Sequence, residues 1–92
     1  MKTECLEARV SASLLRYARI GIVVPKHGRD VVDRNRTKRR LREIVRLHLL
    51  PGVEGVDVVL RASPQAYIAT FDQLAHQVNT IAAWISTSIT RG

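Results

Sequence analysis

The sequence predicts a small α+β domain that contains three strands and two helices. Three short segments predict the strands: the first alternates apolar and polar residues, and the other two are rich in β-branched apolar residues. One long run without glycine or proline and a second, amphipathic run near the C-terminus predict the helices. A length of 92 residues suits one hydrophobic core, so we assign residues 1–92 to a single domain.

The three predicted strands differ in their patterns. In Leu6–Ala12, apolar residues alternate with polar ones, which is typical of a strand with one buried face. The segment 19–25 (RIGIVVP) is apolar on both faces at its centre, so we expect a more buried strand that ends at Pro25. Val56–Ala62 (VDVVLRA) forms the third predicted strand.

The first helix is predicted from Val31 to about Leu50. It follows a loop at 26–29, and Asp30 is placed to cap it, with Asp33 as an acidic residue in its first turn. Pro51, followed by a glycine, should end it.

The second helix is predicted after a short turn that begins at Ser63. Thr70 and Gln73 have the spacing of a capping box, in which each residue bonds the other's backbone N–H. Apolar residues then recur at helical spacing on one stripe: Phe71, Leu74, Val78, Ile81 and Ile85.

The composition excludes several classes of protein. Apolar residues make up 46% and charged residues 25%, which is typical of a folded globular chain. The uncharged stretch 73–90 is too polar to span a membrane, and residues 1–10 are too charged for a secretory signal. A single cysteine and three scattered histidines do not form a metal-binding pattern. We therefore expect a cytoplasmic protein that does not bind membranes or hold a metal.

Positive charge is concentrated in one segment. The chain has 15 Lys and Arg against 8 Asp and Glu, a net charge of +7, and the segment 26–46 holds nine of the basic residues against three acidic ones. A basic patch of this density on a small domain indicates a partner with many negative charges, most commonly a nucleic acid. The alternative is a charged helix face that only contacts solvent.

On a helical wheel, the first helix has a packing face and a basic face. The packing face holds Thr37, Leu41, Ile44, Val45 and His48. We call the opposite face the basic ridge; it consists of Asn35, Arg39, Arg42 and Arg46, flanked by Arg36 and Arg40. Arg34 and Lys38 fall nearer the boundary with the core. Arginine side chains in such a row are suited to bind phosphate oxygens.

The segment 34–43, with the sequence RNRTKRRLRE, closely resembles the signature of the bacterial ribonuclease P protein subunit. In that family an Arg-Asn pair is followed by Lys-Arg and Arg-Glu at the same offsets. The resemblance extends from about residue 18 to residue 74 and also includes Arg19, Gly21, Val24, Lys26, Val32, Arg46, Asp57 and Arg61.

The resemblance implies an α/β sandwich with a mixed sheet, in which the signature helix forms a left-handed crossover between parallel strands. It also implies a subunit that binds a catalytic RNA and assists removal of the 5′ leader from precursor tRNA. The RNA would carry out the hydrolysis, with Mg²⁺ bound mainly by the RNA and no catalytic residue in the protein. The residues expected to bind RNA are Lys26, Arg29, Arg34, Asn35, Arg36, Lys38, Arg39, Arg40, Arg42 and Arg46.

Family members usually begin with a helix that walls the cleft for the leader. This sequence begins near its first predicted strand, and we expect it to lack that helix. Arg9 and Tyr17 are then the candidate residues for contact with the leader.

The residues by themselves leave a second function open. A ribosomal or regulatory protein that binds RNA or DNA without catalysis could use the same basic ridge. The acidic residues are dispersed along the sequence and form no obvious two-metal cluster. Tyr67, Phe71 and Trp84 could stack on bases, but for Phe71 and Trp84 packing in the core is favoured.

Overall fold

A computed structural model describes residues 1–88, and residues 89–92 of the predicted domain lie outside the described part. Three strands and two helices follow one another in the predicted order. Their bounds are β1 Leu6–Ala12, β2 Arg19–Val23, α1 Val31–Ile44, β3 Val56–Ala62 and α2 Phe71–Ser88.

The three strands form one mixed sheet in the order β1-β3-β2. β3 pairs antiparallel with β1 and parallel with β2. Because β2 and β3 are parallel neighbours, the chain between them must cross from one end of the sheet to the other, and α1 lies in that crossover. The predicted α+β class is confirmed, as is the mixed sheet that the resemblance implies.

The core lies between one face of the sheet and the two helices. Val56, Val58 and Leu60 of β3 are each at most 1% exposed, and Leu41 of α1 and Leu74 of α2 are fully buried beside them. The sheet's other face is open, because no helix of the described chain covers it. No helix among residues 1–88 is long and apolar enough to cross a membrane.

The prediction that the second strand is the more buried one was wrong. β2 lies at the edge of the sheet, and Arg19, Gly21 and Val23 point to the open face, where Val23 is 43% exposed. Ile20 and Ile22 on the other face are only half-buried. The apolar character of β2 therefore reflects its packing on one side, and only Val24, just after the strand, is buried.

The first helix begins as predicted but does not keep its period to residue 50. The Asp30 carboxylate accepts a bond from the Asp33 N–H at 2.9 Å, which caps the helix. After Ile44 the chain continues as a π-helical segment over Val45–Leu49 and a 3₁₀ turn over Leu50–Gly52. The wider turn places Leu49, which is fully buried, in the core where we expected His48, which is half-buried.

The second helix has the predicted capping box. The Thr70 N–H donates to Gln73 Oε1 at 2.9 Å, and the Gln73 N–H donates to Thr70 Oγ1 at 3.1 Å. Four residues of the predicted stripe are fully buried, but the inclusion of Phe71 in it was wrong, since Phe71 is 41% exposed. The core at that end is already filled by Ala66 and Ala69, which are buried just before the helix.

Candidate nucleic-acid interface

The basic ridge is an exposed surface on α1 and the π-helical segment after it. Thr37 and Leu41, on the opposite side of the same helix, are 3% and 0% exposed. The helix is therefore anchored in the core by one side, and its other side faces solvent. Five of its six members are exposed, namely Asn35, Arg36, Arg39, Arg42 and Arg46. Arg40, the sixth, is half-buried.

Arg34 and Lys38 lie at the edge of the helix's packing face, as the wheel predicts. Both are half-buried, which places their aliphatic stems against the protein. Long basic side chains in this position keep their charged ends at the surface while their stems cover apolar atoms. They extend the positive surface from the basic ridge towards the sheet.

Ion pairs separate the basic residues into two groups. Arg46 Nη2 lies 2.6 Å from Glu43 Oε1, and this hydrogen bond lowers the pKa of Glu43 and raises the pKa of Arg46. Asp33 lies 3.7 Å from Arg29 and 3.9 Å from Arg36. Arg39 and Arg42 form no ion pair within residues 1–88, so their charge is uncompensated and available to a phosphate.

A tight loop at 26–29 precedes the helix. The Arg29 N–H donates to the Lys26 carbonyl at 2.7 Å, and His27 and Gly28 both have positive φ angles, of 47° and 79°. Glycine adopts such an angle without strain, which accounts for Gly28 at this turn. Lys26 and Arg29 are both exposed beside the start of α1, so the structure brings them to the same end of the basic ridge.

Tyr67, in the turn that follows β3, contacts this loop. Its hydroxyl donates to the Pro25 carbonyl at 2.5 Å, and its ring meets the His27 ring edge to face at 6.3 Å. The Arg29 guanidinium lies 5.3 Å from the centre of the same ring, within range of a cation–π contact. Sequence reasoning named Tyr67 only as a base-stacking candidate, because its contacts with residues 25–29 join positions about forty residues apart.

We predict that Tyr67→Leu weakens RNA binding through Arg29. Loss of the ring and of the hydroxyl frees the loop, and we expect the affinity for RNA to fall about two- to fivefold, the scale of one exposed cation–π contact. In an Arg29→Gln background the same change should have little further effect, which a double-mutant cycle of binding constants measures. Tyr67→Phe keeps the ring and should retain most of the affinity. Equal losses in both backgrounds would show that Tyr67 does not act through Arg29.

The open face of the sheet carries the candidate leader contact Arg9. Residues aligned across the three strands form rows, and Arg9 shares a row with Val59 and Gly21. The Cβ position of Gly21 has no neighbour within 4 Å, so this row leaves open space above the sheet. A groove of about 180 Å³ lies here, lined by Glu7, Arg9, Val23, Val59 and Arg61.

The second candidate leader contact, Tyr17, does not line this groove. Tyr17 lies in the connection between β1 and β2 and is 62% exposed. Next to it on the open face, Arg19 forms a two-pronged ion pair with Asp57, with both contacts at 2.8 Å, and this pair lowers the pKa of Asp57. The structure therefore brings Arg9 and Arg61 to one groove and leaves Tyr17 apart from it.

The described chain offers no ready site for a metal ion. Residues 1–88 contain no group of three or more His, Cys, Asp or Glu side chains that could hold one. The single thiol, Cys5, is buried and accepts a hydrogen bond from Gln77, and burial raises its pKa. A buried thiol does not suit Mg²⁺, which prefers carboxylate and other oxygen ligands.

Known proteins resemble this chain in sequence over most of its length. The model of the family described as Ribonuclease P matches residues 2–85. The ribonuclease P protein component of Kocuria rhizophila is 41% identical over 66 residues, which cover 72% of this chain and 58% of that protein. That of Thermus aquaticus is 48% identical over 61 residues, covering 66% of this chain and 36% of that protein. The chain thus spans less than two thirds of the length of these relatives.

Solved structures share the fold. The RNase P protein from Thermotoga maritima superposes with a TM-score of 0.79 at 22% identity, covering 89% of this chain and 78% of that one. The Staphylococcus aureus RNase P protein superposes with a TM-score of 0.77 at 24% identity, with the same two coverages. The family model matches residues 2–85, which include the basic helix and the mixed sheet on which it packs. The chain therefore belongs to the ribonuclease P protein family.

Proposed function

We propose that this chain acts as the protein subunit of ribonuclease P and binds its catalytic RNA through the basic ridge. The observation that carries the proposal is the pair of uncompensated arginines, Arg39 and Arg42, on the exposed side of a helix whose other side is anchored in the core. Membership of the family and the names of its relatives support the identity of the RNA.

In this proposal the protein contributes binding, and the RNA contributes the chemistry. Arginine and lysine side chains bind phosphates of the folded RNA, which lowers the repulsion between its strands and reduces its requirement for cations. Mg²⁺ would be held by RNA phosphates, and no step is assigned to a metal on the protein.

We further propose that the open face of the sheet faces the 5′ leader of precursor tRNA. Arg9 and Arg61 border the groove there, and exposed Val23 and Val59 offer apolar surface between them. Single-stranded nucleic acid binds to surfaces that combine positive charge with apolar contacts. Because α1 and α2 pack on the sheet's other face, the leader and the catalytic RNA would meet different sides of the protein. Since the proposed substrate is a precursor tRNA, we also propose a cytoplasmic location for the protein.

The test is a cleavage assay with precursor tRNA. The protein added to a bacterial ribonuclease P RNA should raise the rate of leader removal at low Mg²⁺, where the RNA alone is slow. The protein with Mg²⁺ and no RNA subunit should not cleave. Cleavage by the protein alone would overturn the proposal, as would a rate that the protein leaves unchanged while it binds the RNA.

The last outcome would favour the second candidate, a module that binds nucleic acid without assisting catalysis. The basic ridge by itself is compatible with that function, since phosphate contacts carry no information about the reaction. The two candidates therefore differ in the cleavage rate and not in the affinity for RNA.

A further inference from the structure

An apolar groove lies beside the basic ridge, between α1 and the edge strand β2. The volume of this open groove is about 530 Å³, which is within the usual range for sites that bind small ligands. Its floor is aliphatic and consists of Ala18, Ile20, Ile22, Val45 and Leu50. The groove exists because β2 has no neighbouring strand on its outer side and the helix covers the inner face of the edge strand only in part.

One wall of this groove is positively charged. Lys38, Arg42 and Arg46 line it, at steps of four residues along the helix. Arg46 is neutralised by Glu43, which also lines the groove, so the net positive charge lies at the end formed by Lys38 and Arg42. Lys38 and Arg42 form no ion pair within the described residues.

We propose that this groove binds one unpaired nucleotide of the RNA partner, with the base on the aliphatic floor and its phosphate at Lys38 and Arg42. The inference rests on the proposed function and deepens it, because it assigns base contact to a helix that would otherwise bind phosphates alone. A nucleotide joins a flat base, whose faces are apolar, to an anionic phosphate, and the groove joins an aliphatic floor to a cationic end. Proteins recognise RNA sequence mainly through unpaired bases, which can leave the helical stack and enter such sites.

The groove also accounts for the position of Lys38. On the wheel this residue falls outside the basic ridge, towards the core, and its side chain is half-buried. A lysine placed there contributes little to a phosphate contact on the far side of the helix, but it is well placed at the mouth of a groove. An acidic peptide would match the same charges. The continuity of Arg42 with the basic ridge favours nucleic acid, because a single strand can occupy both surfaces at once.

Two leucines of similar exposure provide a matched test. Leu50 lines the groove and is 40% exposed, whereas Leu47 is 47% exposed and does not line it. We expect Leu50→Ser to weaken the affinity for the ribonuclease P RNA about fivefold, since part of a leucine surface would no longer be covered by a base. Leu47→Ser should leave the affinity unchanged. Melting curves establish that both variants are folded at the temperature of the assay.

A second measurement does not depend on the RNA subunit. AMP and ribose 5-phosphate are titrated into the full chain while the methyl NMR signals of Ile20, Ile22 and Leu50 are followed. AMP should shift these signals, and ribose 5-phosphate, which lacks the base, should not. Equal shifts from both would mean that the groove senses only phosphate, and shifts from a short leucine- and glutamate-containing peptide but not from AMP would assign it to a protein partner. Either result overturns the inference.

The two proposals can fail separately. If Arg39→Gln weakens RNA binding while Leu50→Ser and Leu47→Ser have the same effect as each other, the basic ridge binds RNA but the groove does not take a base. If the chain binds no ribonuclease P RNA at all, the proposed function fails, and the AMP titration still decides whether the groove binds a nucleotide.

Discussion

The double variant Arg39→Gln with Arg42→Gln is expected to bind the catalytic RNA with a much weaker dependence on salt. Each phosphate contact contributes roughly 0.7 to 0.9 to the slope of log affinity against log salt concentration, because binding releases counterions from the RNA. Removal of two contacts should therefore reduce the slope by about 1.4 to 1.8 units. Glutamine keeps an unbranched side chain with good helix propensity, so α1 should remain folded. The measurement is a titration of affinity between low and moderate salt.

A second double variant, Lys2→Gln with Arg16→Gln, controls for total charge. It also removes two positive charges, but both residues are exposed and lie outside α1. Its slope should stay near that of the original protein. If the two double variants reduce the slope equally, the RNA senses only the net charge of +7, and the basic ridge is not the docking surface.

The variant Leu41→Ala is expected to lower the free energy of unfolding by about 2 to 5 kcal/mol. Leu41 is fully buried beneath α1, so the shorter side chain loses its transfer energy and leaves a cavity among the residues of the core. A small domain has only about 5 to 15 kcal/mol in total, so this one change removes a large share. Thermal or urea unfolding, followed by circular dichroism, measures it.

Leu47→Ala is the matched comparison, since Leu47 is 47% exposed and its loss should cost far less. At temperatures where the Leu41→Ala variant is fully folded, the affinity of that variant for RNA and its salt slope should equal those of the original protein. A change in slope without any loss of stability would contradict the division of α1 into a packing face and a basic ridge.

Local interactions explain which parts of the fold could be predicted from the sequence. The caps at Asp30 and at Thr70 with Gln73 join atoms three residues apart, so the residue types alone indicate them. The bounds of β1 follow from apolar and polar residues that alternate over seven positions, and those of β3 follow from a short apolar segment rich in valine. The division of α1 likewise follows from its period, because a regular helix fixes the direction of every side chain relative to its neighbours.

The candidate site was predictable to the same extent. The membership of the basic ridge could be read from the sequence, and five of its six positions are exposed in the structure. Which arginines are left without an acidic partner could not be read so directly, since the pairing of Arg46 with Glu43 depends on the side-chain conformations. That these residues bind RNA stays a prediction until the salt titrations are done.

The sequence by itself determined the class of the fold, the capped ends of the helices and a helix with one basic side, because each depends on residues within a few positions of one another. Only the tertiary structure decided that β2 lies at the sheet edge, that the helix widens after Ile44, and that Tyr67 holds Arg29. These features depend on contacts between distant parts of the chain. A pattern of apolar residues indicates that one face of an element is buried, but it does not show which other element covers that face. Packing against the covering element sets the final geometry.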